Sequence, residues 1–335
     1  MTTTSRATLQ DVAARAGVSL KTASRAVNAE PYVSEQTRDK VLAAAAELGF
    51  RLNAGASQLA RGVTSDVVGL VTGDLANPFY ASLASGAESE LRERGLQLTL
   101  ASSDEDAARE AAIVDEFARR NVRAVLAVST AEDQAHYATL ALRGIPAVFL
   151  DRAPRGVEAD AILLENAEGG RDATAHLIAQ GHRRIGFLGD FDRLPTFVER
   201  LAGYRRALDD AGLEHDPTLV RSGAHDTATA ARLTSELLEA EHPPTALFAS
   251  NNRATIGALQ AFARCGGPAP ALVGFDDFDL AEVLGVTVVA HDPREMGRQA
   301  ARAAIRRLDE RASTPETVRM PTRLIPRGSG ERRPA

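Results

Sequence analysis

The side chains of this 335-residue chain best suited to chemistry lie near its amino terminus, in SLKTASRAVN at residues 19–28. Ala23, Ala26 and Val27 fall on one side of a 3.6-residue period, which leaves Leu20, Lys21, Thr22, Ser24 and Arg25 facing outward. The chemistry they offer is recognition. Lys21 and Arg25 carry donors that fit guanine N7 and O6, Leu20 suits a thymine methyl, and Thr22 and Ser24 are short hydroxyls suited to phosphate oxygens. Upstream, Leu9, Val12, Ala13 and Ala16 at i, i+3, i+4 and i+7 predict a first helix, with Thr8 and Asp11 as its capping box. Gly17 supplies the left-handed end of that helix and Ser19 the N-cap of the next, with Thr22 behind it. Two short helices across a turn of about four residues have helix-turn-helix spacing. A solvated charged face on a helical pair has the same composition, so the continuation of the chain decides between the readings.

A third helix is predicted over SEQTRDKVLAAAAELGF, capped by Ser34, closed by Gly49, with Val41, Leu42, Ala45 and Leu48 as its buried stripe. With that helix in place the chain resembles the lactose repressor (LacI/GalR) family of bacterial transcription regulators. Its DVA, AGVS, T, SR and N positions, the VS and TR that follow, and an N-xx-A-xx-L segment match the family headpiece almost throughout. The resemblance implies DNA contacts from Thr8, Ser19, Leu20, Lys21, Thr22, Ser24, Arg25 and Asn28. It also implies a hinge carrying Asn53, Ala56 and Leu59 that becomes helical when two copies meet on DNA, with Leu59 wedged into a central base step. Unstacking a step costs on the order of a few kcal/mol, recovered from the surface a bent minor groove presents. Leu52 stands where the family has proline, and Gly55 costs a helix about 1 kcal/mol relative to alanine, so both favour a hinge unfolded off DNA. A plain flexible linker is the alternative for residues 53–64.

Charge follows the same division. Residues 1–62 hold eight basic and five acidic side chains, a net of +3, and because the whole chain carries −6 the remainder carries −9. An acidic body repels phosphate, which confines DNA contact to the amino-terminal end and makes binding weaken steeply with salt. Length beyond the headpiece suffices for two lobes with cores of their own. The start, MTTTSRATLQ, has no apolar run for a signal peptide, and no stretch reaches the ~18 apolar residues of a spanning helix, so a cytoplasmic protein, nucleoid-associated when bound to DNA, is expected. The lone cysteine, Cys265, excludes an intramolecular disulfide and reads as a buried small hydrophobe.

From Asp66 onward, near-continuous apolar runs at 67–71, 96–101, 124–129, 147–151, 161–166, 184–190, 246–250, 271–277 and 286–292 alternate with helical patterns, which predicts parallel sheets covered on both faces. The resemblance implies an all-α headpiece over 1–52, a hinge over 53–64 and a two-lobed α/β domain over 65–330 like periplasmic sugar-binding proteins. Its N-lobe takes about 65–164 and 293–320, its C-lobe about 165–291 and 322–330, with crossings near Glu165, His291 and Pro321 and a frayed tail at 331–335. Ligands of open α/β sheets bind outside the carboxyl ends of the strands. Those positions hold Asp74 with the Asn77-Pro78-Phe79-Tyr80 turn, Ser129, Thr130, Asp151, Arg152, Asp190, Asn251, Asn252, Asp276, Asp277, His291 and Asp292. Carboxylates and amides that can pair with adjacent hydroxyls, beside an aromatic face, suit a small polyol or nucleoside. By resemblance the effector residues are Phe79, Asp151, Arg200, Asn251 and Asp276, with His225 near an indole floor of some members.

No phosphate loop, metalloprotease motif, paired cysteines or nucleophile elbow occurs, so no catalytic residue, metal or cofactor is expected. His182 reads as a surface turn. The sequence thus points to a homodimeric repressor of a palindromic operator controlled by a sugar-like metabolite. The alternative is a solute-binding module or sugar enzyme with a vestigial headpiece. Lys21→Ala should relax preference at one base pair, whereas Thr22→Ala should weaken all sequences alike; selection on randomised half-sites measures both, and equal effects would undo the groove assignment.

Overall fold

Apolar strands separated by amphipathic helices can bury both sheet faces only by winding helices onto each side. The computed structural model describes residues 7–50, 65–265, 268–310 and 314–334. It divides into two compact units, Met1–Ser65 and Asp66–Ala335. The first contains α1 (Leu9–Ala16), α2 (Leu20–Val27) and α3 (Glu35–Glu47) around Val12, Ala13, Ala23, Ala26, Val41, Ala44 and Ala45. The Thr8–Asp11 capping box is formed in both directions, Gly17 is left-handed at φ 66°, and the Ser19 and Ser34 hydroxyls accept from the Thr22 and Thr37 amides. Leu42 departs from expectation. It is 45% exposed, because Ala44 takes the inward position beside Val41 and Ala45.

The second unit contains two six-stranded sheets. The first runs β11 (Thr317–Met320), β5 (Asp160–Leu164), β4 (Ala147–Leu150), β3 (Val125–Ala127), β1 (Val67–Thr72), β2 (Gln97–Ser102), all parallel. The second runs β12 (Arg323–Ile325), β10 (Thr287–Ala290), β9 (Ala271–Phe275), β8 (Ala246–Ala249), β6 (Ile185–Leu188), β7 (Val220–Arg221), parallel except for β12. Omitting the last strand of each, both follow the order 2-1-3-4-5, whose switch points lie at β1/β3 and β6/β8. The chain passes between the sheets three times: after β5, after β10 and between β11 and β12. Every long apolar run forms a strand. The short segments β7, β11 and β12 carry polar or exposed residues and have no such signature.

Small residues let helices close on one another within each lobe. Gly86 of α4 (Pro78–Glu93) meets the Arg294 backbone, and Gly297 of α11 (Pro293–Asp309) meets the Leu83 carbonyl. In the other lobe Gly170 of α7 (Asn166–Ala179) meets the Arg200 backbone, and Gly203 of α8 (Pro195–Asp210) meets the Ala167 carbonyl.

Three expectations are corrected. Cys265 is exposed, because it follows the last turn of α10 (Asn252–Arg264), beyond the buried Ala261 and Phe262. His182 is buried, with Nδ1 on the Thr245 hydroxyl (2.9 Å) and Nε2 donating to the Arg332 carbonyl (2.8 Å). That contact belongs to the third correction: the carboxyl end is pinned instead of frayed. Ser329 donates to the Leu272 carbonyl, and the Glu331 carboxylate accepts from Thr287 and His176. Gly297→Ala would drive a methyl group into the Leu83 carbonyl, so it should destabilise the body by about 1–3 kcal/mol in urea unfolding, while an exposed alanine substitution such as Leu142→Ala stays within ~0.5 kcal/mol.

Candidate functional site

In the headpiece, capping chemistry aims α2. The Ser19 hydroxyl lies 2.8 Å from that of Thr22, so these two groups and Thr8, whose hydroxyl donates to Asp11 (2.7 Å), first fix helix ends. Lys21 is exposed and Leu20 is half exposed, side by side on the first turn. Ser24 and Arg25 are half-buried, and Arg25 Nε lies 3.9 Å from Glu30. Asn28 closes the helix through Nδ2 donating to the Ser24 carbonyl (2.8 Å). The exposed cation and apolar side chain thus stand on one rigid turn, the geometry base-edge readout requires. Asn53, Ala56 and Leu59 lie outside the described residues. Tyr32, which sequence reasoning passed over, is 94% exposed at a left-handed φ of 74°.

In the body, the carboxyl ends of both sheets converge on a small cavity of about 40 Å³. It gathers Phe79, Asp151, Arg152, Arg200, His225, Asn251 and Asp276 from the residues expected at the effector site. Ser129 and His291 stand behind its wall. The Ser129 hydroxyl donates to buried Glu110 (2.6 Å) and its carbonyl accepts from Arg152 (3.2 Å). His291 Nε2 donates to Asp276 (2.9 Å) while its ring meets Phe79 edge-on at 5.6 Å. Asp74, Asn77, Tyr80 and Asp190 also line the cavity, as their strand-end positions imply, and Glu105, Thr196 and Arg253 were missed. Glu105 follows β2, so applying the strand-end rule to that strand as well finds it. Thr196 and Arg253 sit in the first turns of α8 and α10, facing the strand ends from the helix side.

Most of the charge here is matched. Glu105 takes both terminal nitrogens of Arg152 (2.7 and 2.8 Å). Burial works to raise this carboxyl, and the guanidinium beside it more than offsets burial and holds it below its ordinary value. Asp276 behaves likewise. Burial raises it, while Arg200 at 3.9 Å and the His291 hydrogen bond bring it below. Arg200 is itself fixed by the Asn166 side chain (2.9 Å), the Ser250 carbonyl (2.5 Å) and the face of Phe275 at 3.7 Å. Asp151 is the exception. Its side chain is buried and makes no hydrogen bond among the described residues; Arg152 Nε approaches only to 3.9 Å. Burial therefore pushes its pKa up despite the arginines.

Asp151 and Asp276 occupy equivalent places, after β4 and β9, and both are left-handed, at φ 63° and 69°. That conformation is uncommon outside glycine, asparagine and aspartate. Each lobe therefore aims one carboxylate at the cavity by the same backbone device. Three contacts also cross between the lobes beside it: Arg253 to Asp74 (2.7 Å), Asn252 Nδ2 to Asn77 Oδ1 (2.8 Å) and Arg193 to the Glu105 carbonyl (2.9 Å).

Residues 8–53 match the bacterial regulatory proteins of the lacI family, and residues 174–330 match the periplasmic binding protein-like domain. The transcriptional regulator CelR of Thermobifida fusca is 36% identical over 97% of this chain and 98% of its own. The chain is a member of the lacI family. It is a DNA-binding transcriptional regulator, which sets the enzyme alternative aside. GalR of Escherichia coli is 31% identical over 91% of this chain and 90% of its own. Among solved structures, a CelR–cellobiose complex matches with a TM-score of 0.73 at 34% identity over 97% of this chain and all of the other. A lac repressor dimer bound to operator and the anti-inducer ONPF matches at 0.79 and 26% identity, over 97% and 99%.

Because burial raises the pKa of Asp151, the stability it governs is gained as pH falls through its titration and lost as pH rises through it. Asp151→Asn keeps a residue that tolerates the left-handed backbone and removes the charge. By calorimetry the ligand-free variant should unfold a few degrees higher than wild type near neutral pH, with stability raised by ~1 kcal/mol, and the difference should vanish below about pH 3, where the wild-type carboxyl is protonated.

Proposed function

We propose that this protein is a homodimeric repressor that binds a palindromic operator through paired headpieces, residues 1–52, and hinges, residues 53–64, and that a neutral sugar held between the lobes sets its operator affinity. The observation that carries the effector half is the pair of left-handed aspartates, Asp151 and Asp276, facing one cavity from the two lobes, one of them with no donor. A ligand rich in hydroxyls supplies donors to both carboxylates, accepts from Asn251 and Arg200, and lays C–H surface on Phe79. The cellobiose of the CelR complex and the anti-inducer and operator of the lac repressor dimer give the class of partners expected. The dimer is supported by that relative and by an apolar surface, Leu280, Val283 and Leu284, left 57–81% exposed after β9.

In this reading Lys21 and Arg25 enter the major groove of a half-site, Leu20 meets a methyl, and Leu59 acts at the centre of the palindrome. Sugar bound to both aspartates changes how far the lobes close, and hinge spacing follows. A coupling of ~1–3 kcal/mol changes operator affinity roughly 5- to 150-fold. The full chain should sediment as a dimer and prefer an inverted repeat over random DNA with a steep salt dependence. Asp276→Ala should keep that binding and lose the sugar response. Absence of any operator preference would sink the reading, and joint loss of both activities in the variant would mark misfolding.

A further inference from the structure

Asp190 ends β6 and is a junction in the cavity wall. Its Oδ1 accepts from the Phe191 amide (2.7 Å) and from His225 Nδ1 (2.9 Å), and its Oδ2 accepts from Asn251 (3.3 Å). The imidazole stacks on Phe191, 4.7 Å between centroids at 21°, and the Arg193 guanidinium lies 4.3 Å from the centroid of the same phenyl ring. Because a carboxylate can only accept, Nδ1 carries the hydrogen, and Nε2, on a residue that lines the cavity, has no partner among the described residues.

Resting on the reading that a sugar occupies this cleft, we propose that His225 is the specificity-determining residue of its C-lobe wall. Its Nε2 accepts from a ligand donor when the ring is neutral and donates to a ligand acceptor when the ring is protonated, so that only a group able to do both, a hydroxyl, is held in either state. The groups that face the ring are Asp190 after β6, Glu105 after β2 and Asp74 after β1, with Asp226 next in the chain and Arg193 across Phe191. The Asp190 hydrogen bond, only partly opposed by burial, raises the pKa of His225 and favours imidazolium. A charge-assisted bond to a hydroxyl oxygen is shorter and stronger than a neutral one, so affinity for a neutral sugar falls as pH rises through this titration. A carboxylated sugar gains a bond to Nε2 only in the protonated state, and meets Asp151 and Asp276 in both.

The test is calorimetric titration of the full chain with neutral mono- and disaccharides, cellobiose and D-ribose among them, between about pH 5.5 and pH 8.5. The sugar that binds should do so about five-fold more tightly at the acid end. His225→Gln, which keeps hydrogen-bonding capacity without titrating, should flatten that ratio. Asp190→Asn should move the midpoint of the profile to lower pH, which a purely structural role would not do. A flat wild-type profile, or one unchanged by His225→Gln, overturns the assignment and leaves the cleft reading standing. Binding by no sugar of the set overturns the cleft reading, and this assignment with it.

Discussion

Five carboxylates, Asp74, Glu105, Asp151, Asp190 and Asp276, share one small cavity, and their mutual repulsion in a poorly solvated space is the constraint around which the body is built. Four are matched by cations or imidazoles that come from other segments: Arg253, Arg152, His225, and His291 with Arg200. Those partners are held in turn, Arg200 by Asn166 and Ser250 and Arg152 by the Ser129 carbonyl. Breaking such a buried pair from one side leaves an uncompensated charge, which costs far more than the intact pair contributes. The wall is therefore stiff. The unmatched member is Asp151, which no side chain approaches within hydrogen-bonding distance among the described residues.

The same charges couple the cavity to lobe position. Asp74 and Asn77 lie on one lobe and are held by Arg253 and Asn252 on the other, while Arg193 reaches the Glu105 carbonyl from the segment that also holds Phe191. Each of these contacts requires the lobes to be close. A ligand that competes for them or reinforces them shifts the population of closed and open forms by its differential affinity for the two, and by no more than that. Duplicated lobe architecture supports this motion. Glycine-tight helix pairs, α4 with α11 and α7 with α8, pack each lobe closely, and the chain joins the lobes through three crossings.

Much of this is legible in the amino-acid sequence. The headpiece helices follow from local rules alone, since a Thr8–Asp11 box, Gly17 and Ser19 act within three or four residues of one another. The nine apolar runs marked strands because strands buried on both faces have no polar alternation to obscure them. The strand-end rule found Asp74, Asp151, Asp190, Asn251 and Asp276, because chain direction fixes which end of a parallel strand meets the cleft. It placed Ser129 wrongly, since whether a strand-end hydroxyl faces the cavity or a buried neighbour such as Glu110 depends on packing.

The amino-acid order by itself determined where helices begin and stop, which strands are parallel and central, and that Lys21 stands exposed on the first turn of α2, because capping, periodicity and charge act over a few residues. Only the tertiary structure decided which carboxylate keeps a partner, that His182 is buried against a carboxyl end it helps to pin, and that Asp190 holds His225 in the cavity wall through Nδ1. Those outcomes depend on side chains separated by 35 to 150 positions meeting within about 3 Å, and nothing local encodes a distance of that kind.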